Sequence, residues 1–262
     1  VVWLAGLPRC RWGRLLPGPS IVVMAIQLTD YGWTGGSPPD EGRLGRIVRV
    51  DRGECDVVTV EGPVRVVSDS QRAQSETAPV TGDWVLVGTD PDLGRFVERI
   101  LPRTNTLSRR DPSEEVVEQV LVANVDLVLI VHGLDRPLPP GRLERYLVLA
   151  WDSGAEVAVV LTKAGREPEA TEEVAEMVRA VAPGVDVLTV EVGEVTRGIA
   201  GVEALLRPGL TVALLGESGA GKSTLVNALV GEEVLPTGEV RSGDRKGRHT
   251  TVSRELVLCP TG

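Results

Sequence analysis

The segment spanning residues 216–223 constrains the fold of this chain more than any other. Its sequence is Gly-Glu-Ser-Gly-Ala-Gly-Lys-Ser, preceded by the apolar run at residues 210–215 and followed by an amphipathic stretch at residues 224–230. A buried strand that turns through glycines into a helix is the context of a phosphate-binding P-loop. The sequence therefore predicts a strand, a phosphate loop and a helix here, rather than an incidental glycine-rich turn.

Each part of the P-loop (residues 216–223) has a physical role in binding a nucleotide. Glycines let consecutive backbone N–H groups converge on an anion, and the helix N-terminus adds its partial positive charge. Lys222 is expected to reach the outer phosphates and to neutralise charge during phosphoryl transfer, while the Ser223 hydroxyl ligates Mg²⁺. The residues expected to contact the nucleotide are Gly216, Glu217, Ser218, Gly219, Ala220, Gly221, Lys222, Ser223 and Thr224.

Composition and charge exclude several classes of protein. With 262 residues, 42% of them hydrophobic and 25% charged, the chain has the composition of a globular protein with one large or two modest domains. A net charge of −9 disfavours a generally basic nucleic-acid-binding coat. Cys10, Cys55 and Cys259 are far apart, which favours a reducing, cytoplasmic location. No apolar run is long enough to span a bilayer, so no membrane partner is expected.

Residues 1–41 carry no recognisable chemistry. Residues 1–23 show neither helical nor strand periodicity, and prolines and arginines interrupt every candidate apolar core of a signal peptide. We expect residues 1–23 to be translated upstream sequence or a disordered extension, with the start of the protein near Met24, and residues 1–41 as a whole to lie outside the folded core.

Residues 42–103 consist of short alternating segments separated by turns. The predicted strands cover residues 43–50, 55–60, 64–67, 84–87 and 96–100. Five short strands in about sixty residues predict a small all-β barrel of the OB type. Such barrels often bind RNA through a basic face, although alternation by itself makes these arginines ordinary solvent-facing residues. The arginines available are Arg46, Arg49, Arg65, Arg72, Arg95 and Arg99.

Residues 104–115 are expected to connect the barrel to a second domain, residues 116–262. Strands that alternate with helices there predict a parallel sheet with helices on both faces, that is, a three-layer α/β P-loop NTPase domain. The nucleotide would lie at the carboxyl ends of its strands. The predicted strands lie within residues 125–131, 157–161, 185–190 and 210–215, and the helices within residues 143–151, 170–181, 202–206 and 224–230.

The order of parts in the second domain is unusual. Residues 161–165, Leu-Thr-Lys-Ala-Gly, end a buried strand where a GTPase would place the Asn-Lys-x-Asp that reads guanine. This segment precedes the P-loop, whereas residues 247–251, a polar segment suited to a switch loop, follow it. A base-reading segment before the P-loop indicates circular permutation.

Several motifs occur along the chain in a specific order. They are Gly82-Asp83-Trp84-Val85, Leu101-Pro102-Arg103, Ala123-Asn124-Val125-Asp126, Leu143-Glu144-Arg145-Tyr146-Leu147, the P-loop with Asn227, and Gly247-Arg248-His249-Thr250-Thr251. Together they make the chain, from about Gly42 onward, resemble the circularly permuted GTPases that depend on the small ribosomal subunit, the RsgA (YjeQ, EngC) family. The resemblance implies an OB-fold domain, GTP/GDP and Mg²⁺ as ligands, GTP hydrolysis in late maturation of the small ribosomal subunit, and contact with its rRNA.

The resemblance also implies roles for individual residues. Thr162, Lys163, Ala164 and Gly165 would face the base, and Thr250 or Thr251 would join Ser223 at Mg²⁺. His249 resembles the switch histidine suggested to orient the attacking water, so His249 and Lys222 are the candidate catalytic residues. The alternative for His249 is contact with RNA or solvent.

The chain departs from the family pattern at the base-reading segment. Thr162 stands for Asn, and Gly165 stands for the Asp that accepts hydrogen bonds from guanine N1 and N2. Because glycine supplies no carboxylate, we expect weaker discrimination for guanine. Glu191, in the Val190-Glu191-Val192 segment that replaces the family's Ser-Ala, is a candidate to replace that carboxylate in part.

Two further parts of the family pattern are expected beyond Gly262. These are a strand ending in Asp-x-x-Gly and a Cys/His zinc-binding domain, so zinc is expected only in full-length members and Cys259 is expected in the core. The resemblance therefore implies a monomeric GTPase domain that is incomplete at its C-terminus and whose parent activity is GTP hydrolysis, with hydrolysis by this chain itself left open. Two alternatives remain open: a P-loop ATPase or kinase with relaxed base specificity, and a non-catalytic rRNA-binding remnant.

Overall fold

The structure, a computed structural model, describes residues 2–8, 27–36, 43–68, 77–92, 94–110, 118–165, 168–237 and 255–261. The strands are β1 (Val2–Pro8), β2 (Arg43–Val50), β3 (Glu54–Thr59), β4 (Gly62–Val67), β5 (Trp84–Asp90), β6 (Gly94–Ile100), β7 (Thr106–Arg110), β8 (Glu118–Ala123), β9 (Leu127–Gly133), β10 (Glu156–Thr162), β11 (Asp186–Val190), β12 (Thr211–Leu215) and β13 (Leu256–Thr261). The α-helices are α1 (Pro140–Asp152), α2 (Pro168–Val181), α3 (Ile199–Glu203) and α4 (Lys222–Val230).

The first five strands after β1 close into a barrel. Their order around it is β2-β3-β4-β6-β5. Alternate residues of these strands point inward, because a strand turns successive side chains to opposite faces. The interior is filled by Ile47, Cys55, Val57, Val66, Val85, Val87 and Val97. The predicted OB-like barrel is therefore confirmed.

A six-stranded sheet forms the centre of the second domain. Its order is β11-β10-β9-β12-β1-β13. Strands β11, β10, β9 and β12 run parallel to one another, so their carboxyl ends share one edge. This edge is where ligands bind in open α/β sheets.

Helices cover both faces of this sheet, as predicted. On one face, Leu143 and Leu147 of α1 and Val178 of α2 belong to the same buried cluster as Ile130 and Val159 of the sheet. On the other face, α3 and α4 pack against side chains from the same strands; this cluster includes Val202, Leu225, Val226, Leu229, Leu129, Val160 and Leu214. Alternate side chains of β9 and β10 thus pack against the helices on opposite faces of the sheet, which gives the three-layer α/β architecture.

The N-terminal region differs from the expectation that residues 1–41 lie outside the folded core. Strand β1 lies in the sheet between β12, to which it is antiparallel, and β13, to which it is parallel. Leu28 and Tyr31, in a short 3-10 helix (Leu28–Tyr31), are also buried in the core. A strand need not alternate apolar and polar residues, so the lack of periodicity was a poor criterion for placing residues 2–8 outside the fold. Met24 lies outside the described residues.

The segment expected to connect the two domains contains a strand. Residues of β7 pair antiparallel with β8, from Thr106 opposite Ala123 to Arg110 opposite Glu118. Leu107 of β7 is buried in the core. Polar residues on the other positions made this strand resemble an exposed loop in the sequence.

Three of the sequence motifs meet where the barrel joins the α/β domain. The Asp83 carboxylate accepts hydrogen bonds from Arg103 Nε at 2.7 Å and Nη2 at 2.8 Å. Asn124 Nδ2 donates to the carbonyl of Gly82 at 2.9 Å, and Asn124 Oδ1 accepts from the Thr104 amide at 2.8 Å. The motifs containing Gly82, Arg103 and Asn124 therefore hold the barrel to the α/β domain. None of them belongs to the P-loop.

Arg46 was predicted to be one of the arginines available for RNA on the barrel surface, and this prediction is wrong. Its side chain is buried and donates hydrogen bonds to the carbonyls of Gly82 at 3.3 Å, Asn124 at 3.1 Å and Tyr31. Its guanidinium lies 5.0 Å from the centroid of the Trp84 ring. Burial lowers the pKa of Arg46 to about 10, an effect that Asp126 and Asp83 oppose. Arg46 therefore holds the junction together and is not accessible to RNA.

Candidate functional site

The P-loop joins β12 to α4 at the carboxyl edge of the sheet. A Cβ atom at Gly216 would lie 2.2 Å from the carbonyl oxygen of Val131 in β9, so only glycine permits this approach. Gly219 and Gly221 have φ values of 78° and 89°, in the left-handed region that favours glycine. The glycine spacing of the sequence is thus required by backbone contacts and by turn conformation.

Lys222 lies across the P-loop at the start of α4. Its Nζ donates to the carbonyl of Gly216 at 2.8 Å and to that of Glu217 at 2.5 Å. Burial lowers the pKa of Lys222, and the Glu217 carboxylate opposes this shift. An ammonium held by neutral carbonyls and partly removed from water is stabilised by a nearby anion. The site is therefore suited to a phosphate group.

Side chains that follow β9 also contact the P-loop, and the sequence analysis missed them. Arg136 Nη1 donates to the Ser218 carbonyl at 3.2 Å, and Arg142 Nη1 forms an ion pair with Glu217 Oε2 at 2.6 Å. Arg136 follows β9 closely and Arg142 lies in the first turn of α1, and a position just after a buried parallel strand is at the same edge as the P-loop. Arg136 adds positive charge beside Ser218, whereas Arg142 compensates the charge of Glu217.

His132, at the end of β9, is buried, and its Nε2 lies 3.0 Å from the carbonyl oxygen of Arg136. Burial lowers the pKa of His132, while the bond to the Arg136 carbonyl opposes that shift. His132 therefore shapes the turn that presents Arg136 to the P-loop.

The predicted base-reading segment lies beside the P-loop. Thr162 Oγ1 donates to the Ala220 carbonyl at 2.7 Å, so this buried hydroxyl supports the loop. Lys163 Nζ donates to Gly219 O at 2.9 Å and pairs with Asp135 Oδ2 at 2.7 Å. Lys163 has a φ of 62°, and a non-glycine residue in this region is often found at functional sites.

Gly165 and Glu191 meet at the ends of β10 and β11. The Gly165 amide donates to Glu191 Oε2 at 2.7 Å. The Ala164 carbonyl accepts a hydrogen bond from Thr171 Oγ1 at 3.2 Å, which holds the turn against α2. The structure thus brings the predicted segment at residues 162–165 and the candidate carboxylate of Glu191 to the same edge as the P-loop.

Other predicted site residues lie outside the described residues. These are His249, Thr250 and Thr251 of the switch segment, and Arg72 of the barrel. Their roles therefore stay predictions. Ser223 and Thr224 lie in the first turn of α4, next to Lys222, as expected.

The described part of the chain has neither a clustered metal site nor a membrane-spanning helix. It contains no group of three or more His, Cys, Asp or Glu residues placed to hold a metal ion. Cys259 is a core residue, as predicted: its Sγ lies 3.5 Å from the Leu229 carbonyl, and burial raises the pKa of its thiol to about 11. No helix in these residues has the length and apolar character needed to cross a membrane.

Comparisons with known proteins identify relatives of this chain. The model of the RsgA GTPase family matches residues 100–262. A small ribosomal subunit biogenesis GTPase RsgA from Streptomyces avermitilis is 44% identical over 257 residues, covering 94% of this chain and 68% of the relative. Another, RsgA 2 from Lactiplantibacillus plantarum, is 37% identical over 251 residues, covering 91% of this chain and 70% of the relative.

Solved structures share the fold. The crystal structure of YjeQ from Thermotoga maritima has a TM-score of 0.53 and 24% identity, covering 71% of this chain and 64% of that protein. The structure of YloQ, described as a circularly permuted GTPase, has a TM-score of 0.52 and 22% identity, covering 74% of this chain and 67% of that protein. Compared with these proteins, the chain spans about two thirds of their length. The family match, the relatives and the fold agree, and the chain belongs to the RsgA GTPase family.

Proposed function

We propose that this chain binds a guanine nucleotide at the P-loop and hydrolyses GTP to GDP and phosphate. One observation carries the proposal. The ammonium of Lys222 is half-buried across a glycine-built loop, held by the carbonyls of Gly216 and Glu217, and the loop lies at the carboxyl edge of a parallel sheet. Membership of the RsgA GTPase family supports GTP as the nucleotide.

The reaction is phosphoryl transfer to water, in which the protein contributes positioning and charge stabilisation. Lys222 and the N-terminus of α4 stabilise negative charge on the outer phosphates, and Arg136 adds a positive charge near Ser218. The Ser223 hydroxyl, with Thr250 or Thr251, would hold Mg²⁺, which supplies further charge neutralisation when bound. Because Mg²⁺ in such sites is held mainly by phosphates, water and few protein oxygens, a hydroxyl without a carboxylate cluster fits this ion. His249 is the candidate to orient the attacking water.

The proposed partner is the small ribosomal subunit with its rRNA, since the relatives are named small ribosomal subunit biogenesis GTPases. On the barrel, Arg95 and Arg99 of β6 are exposed, whereas Arg65 pairs with three carboxylates, at 2.8 Å from Asp51, 3.0 Å from Glu54 and 2.8 Å from Asp56. Arg95 and Arg99 are therefore better candidates for RNA contact than Arg65. We further propose that the protein acts in the cytoplasm as a monomer.

The test is a titration of the full chain with fluorescent GDP, competed by unlabelled GTP and ATP. We expect competition by GTP alone, and we expect Lys222→Ala to weaken GDP binding roughly 10- to 100-fold, since a hydrogen bond to a charged group contributes about 1.5–3 kcal/mol. Arg145→Ala, on an exposed position of α1, is the matched control and should leave the affinity unchanged.

The same titration separates the two alternatives. Equal competition by ATP would point to an ATPase or kinase with relaxed base specificity. Salt-dependent binding of rRNA with no nucleotide binding would point to a non-catalytic RNA-binding protein.

A further inference from the structure

We propose that Glu191 is the specificity-determining carboxylate that reads the guanine base in this chain, in place of a side chain at Gly165. The inference rests on the proposed nucleotide site and names the residue that selects its base. Gly165 itself has no side chain with which to bind a base.

The first observation is the volume that the Glu191 side chain fills. A Cβ atom at Gly165 would lie 3.0 Å from Glu191 Cδ, 3.1 Å from Cγ and 3.2 Å from Oε2. The carboxyl group of Glu191 therefore occupies the space that the start of a side chain at Gly165 would enter. Because residue 165 is glycine, the Glu191 carboxylate, which follows β11, can reach the turn that follows β10.

The second observation is that this position of Glu191 is held from two sides. Its carboxylate accepts a hydrogen bond from the Gly165 amide at 2.7 Å. Its backbone forms an antiparallel bridge with Arg197, with N–H to carbonyl distances of 3.0 Å and 2.8 Å in the two directions. A side chain anchored in this way loses less conformational entropy on binding a ligand than a free one.

The third observation concerns what the carboxylate can still bind. A carboxylate has about four lone-pair positions, and the bond from Gly165 uses one of them. Guanine presents two adjacent donors, N1–H and the N2 amino group, whereas adenine carries an acceptor at N1. A carboxylate matches the two guanine donors and repels the adenine acceptor.

Asp135 and Glu217 are also carboxylates at this edge, but each is paired with a cation, Glu217 with Arg142 at 2.6 Å. Lys163 Nζ lies 2.7 Å from Asp135 Oδ2, and Arg136 Nε lies 3.5 Å from Asp135 Oδ1. The described contact of Glu191 is instead a neutral amide. A Cβ atom at Gly133 would lie 3.4 Å from Lys163 Cδ, so the stem of Lys163 lies against Gly133 while its Nζ bonds to the Gly219 carbonyl of the P-loop.

The first experiment is Glu191→Gln in the full chain, with affinities measured for GDP, xanthosine diphosphate and ADP. Glutamine can accept the Gly165 hydrogen bond with its carbonyl and present an amide donor to the base. We expect GDP to bind roughly 10- to 100-fold more weakly, because a charge-assisted hydrogen bond is lost. We expect xanthosine diphosphate, which has a carbonyl where guanine has the amino group, to bind more tightly than it binds the wild type. Unfolding cannot produce that gain.

The second experiment moves the carboxylate to the other strand end. Glu191→Ala should lose discrimination between GDP and inosine diphosphate, which lacks the 2-amino group. Adding Gly165→Asp to this variant should restore it, since the alanine removes the steric conflict and Gly165 has no left-handed φ. Glu194→Gln, at an exposed position of the same loop, is the matched control and should change no affinity.

Three outcomes would overturn the inference. An unchanged ratio of GDP to xanthosine diphosphate affinity in Glu191→Gln would show that another group reads the base. If Gly165→Asp in the Glu191→Ala background does not restore discrimination between GDP and inosine diphosphate, the two side chains do not place a carboxylate in the same position. If the wild type does not bind GDP, or binds it independently of Lys222, the proposed nucleotide site itself fails and Glu191 with it.

Discussion

Two cations removed from water, Arg46 and Lys222, illustrate opposite uses of a buried charge at the residue scale. Arg46 has carbonyl acceptors from Gly82, Asn124 and Tyr31 and an aromatic face beneath it. Lys222 has carbonyl acceptors too, but in the proposed function the anion that balances its charge is a phosphate of the nucleotide. The first arrangement stabilises the fold, and the second would serve binding.

Arg46→Met should lower the free energy of unfolding by about 3 kcal/mol. The thioether side chain is apolar and leaves buried carbonyls without their donors, each of which costs about 1–3 kcal/mol. Urea denaturation monitored by circular dichroism measures the change. Arg95→Met, the same substitution at an exposed arginine of β6, should change stability by less than about 0.5 kcal/mol. Equal effects of the two variants would contradict the role given to Arg46.

At the scale of elements, the P-loop depends on the close approach of two parallel strands. Gly216 ends β12 against the backbone of β9, and Thr162 at the end of β10 bonds to Ala220 within the loop. Neighbouring strands thus position the loop through their own contacts with it. The conformation of the loop is a property of three strand ends together.

Gly216→Ala should displace the P-loop from β9, because the added methyl group would lie 2.2 Å from a backbone carbonyl that cannot rotate away. Forcing extra atoms into a packed site costs about 1–3 kcal/mol of stability, and GDP affinity should fall with the altered loop. Gly141→Ala in α1 is the control, since a Cβ there meets nothing within 4 Å and alanine is favoured in helices. A Gly216→Ala variant with wild-type thermal stability and GDP affinity would be inconsistent with this packing.

At the scale of the whole molecule, the barrel and the α/β domain share one hydrophobic cluster. Leu44, Trp84 and Leu86 of the barrel strands belong to the same buried cluster as Val128 and Leu143 of the α/β domain. The Asp83–Arg103 pair and the Asn124 hydrogen bonds lie at the same junction. The two domains should therefore unfold together, in a single calorimetric transition.

Asp83→Ala should destabilise the whole chain by about 3–5 kcal/mol, because it leaves the largely buried Arg103 guanidinium without its carboxylate. Glu172→Ala, which breaks the exposed Arg179 pair on α2, should cost less than about 1 kcal/mol. Chemical denaturation of both variants against wild type measures the difference. Two separate transitions in the wild type, or a loss for Asp83→Ala confined to the barrel, would refute the shared junction.

Much of the architecture was predictable because it depends on local patterns. Alternation in the barrel strands, the continuous apolar runs of β9, β10 and β12, and the strand–loop–helix order around the P-loop all follow from residue spacing. The segment at residues 162–165, predicted to face the base, was recognised for the same reason, since it ends a buried strand. The structure places this segment beside the P-loop.

The sequence by itself determined most of the barrel strands, the strands and helices around the P-loop, and the order of the two domains, because hydrophobic period and glycine spacing act over a few residues. The tertiary structure decided what distant residues do to one another: the burial of Arg46, the place of β1 in the sheet, the contact of Arg136 with Ser218, and the approach of Glu191 to Gly165. Such contacts depend on which strand ends become neighbours in the folded chain. The local sequence pattern is the same for an arginine that faces solvent and for one that bridges two domains.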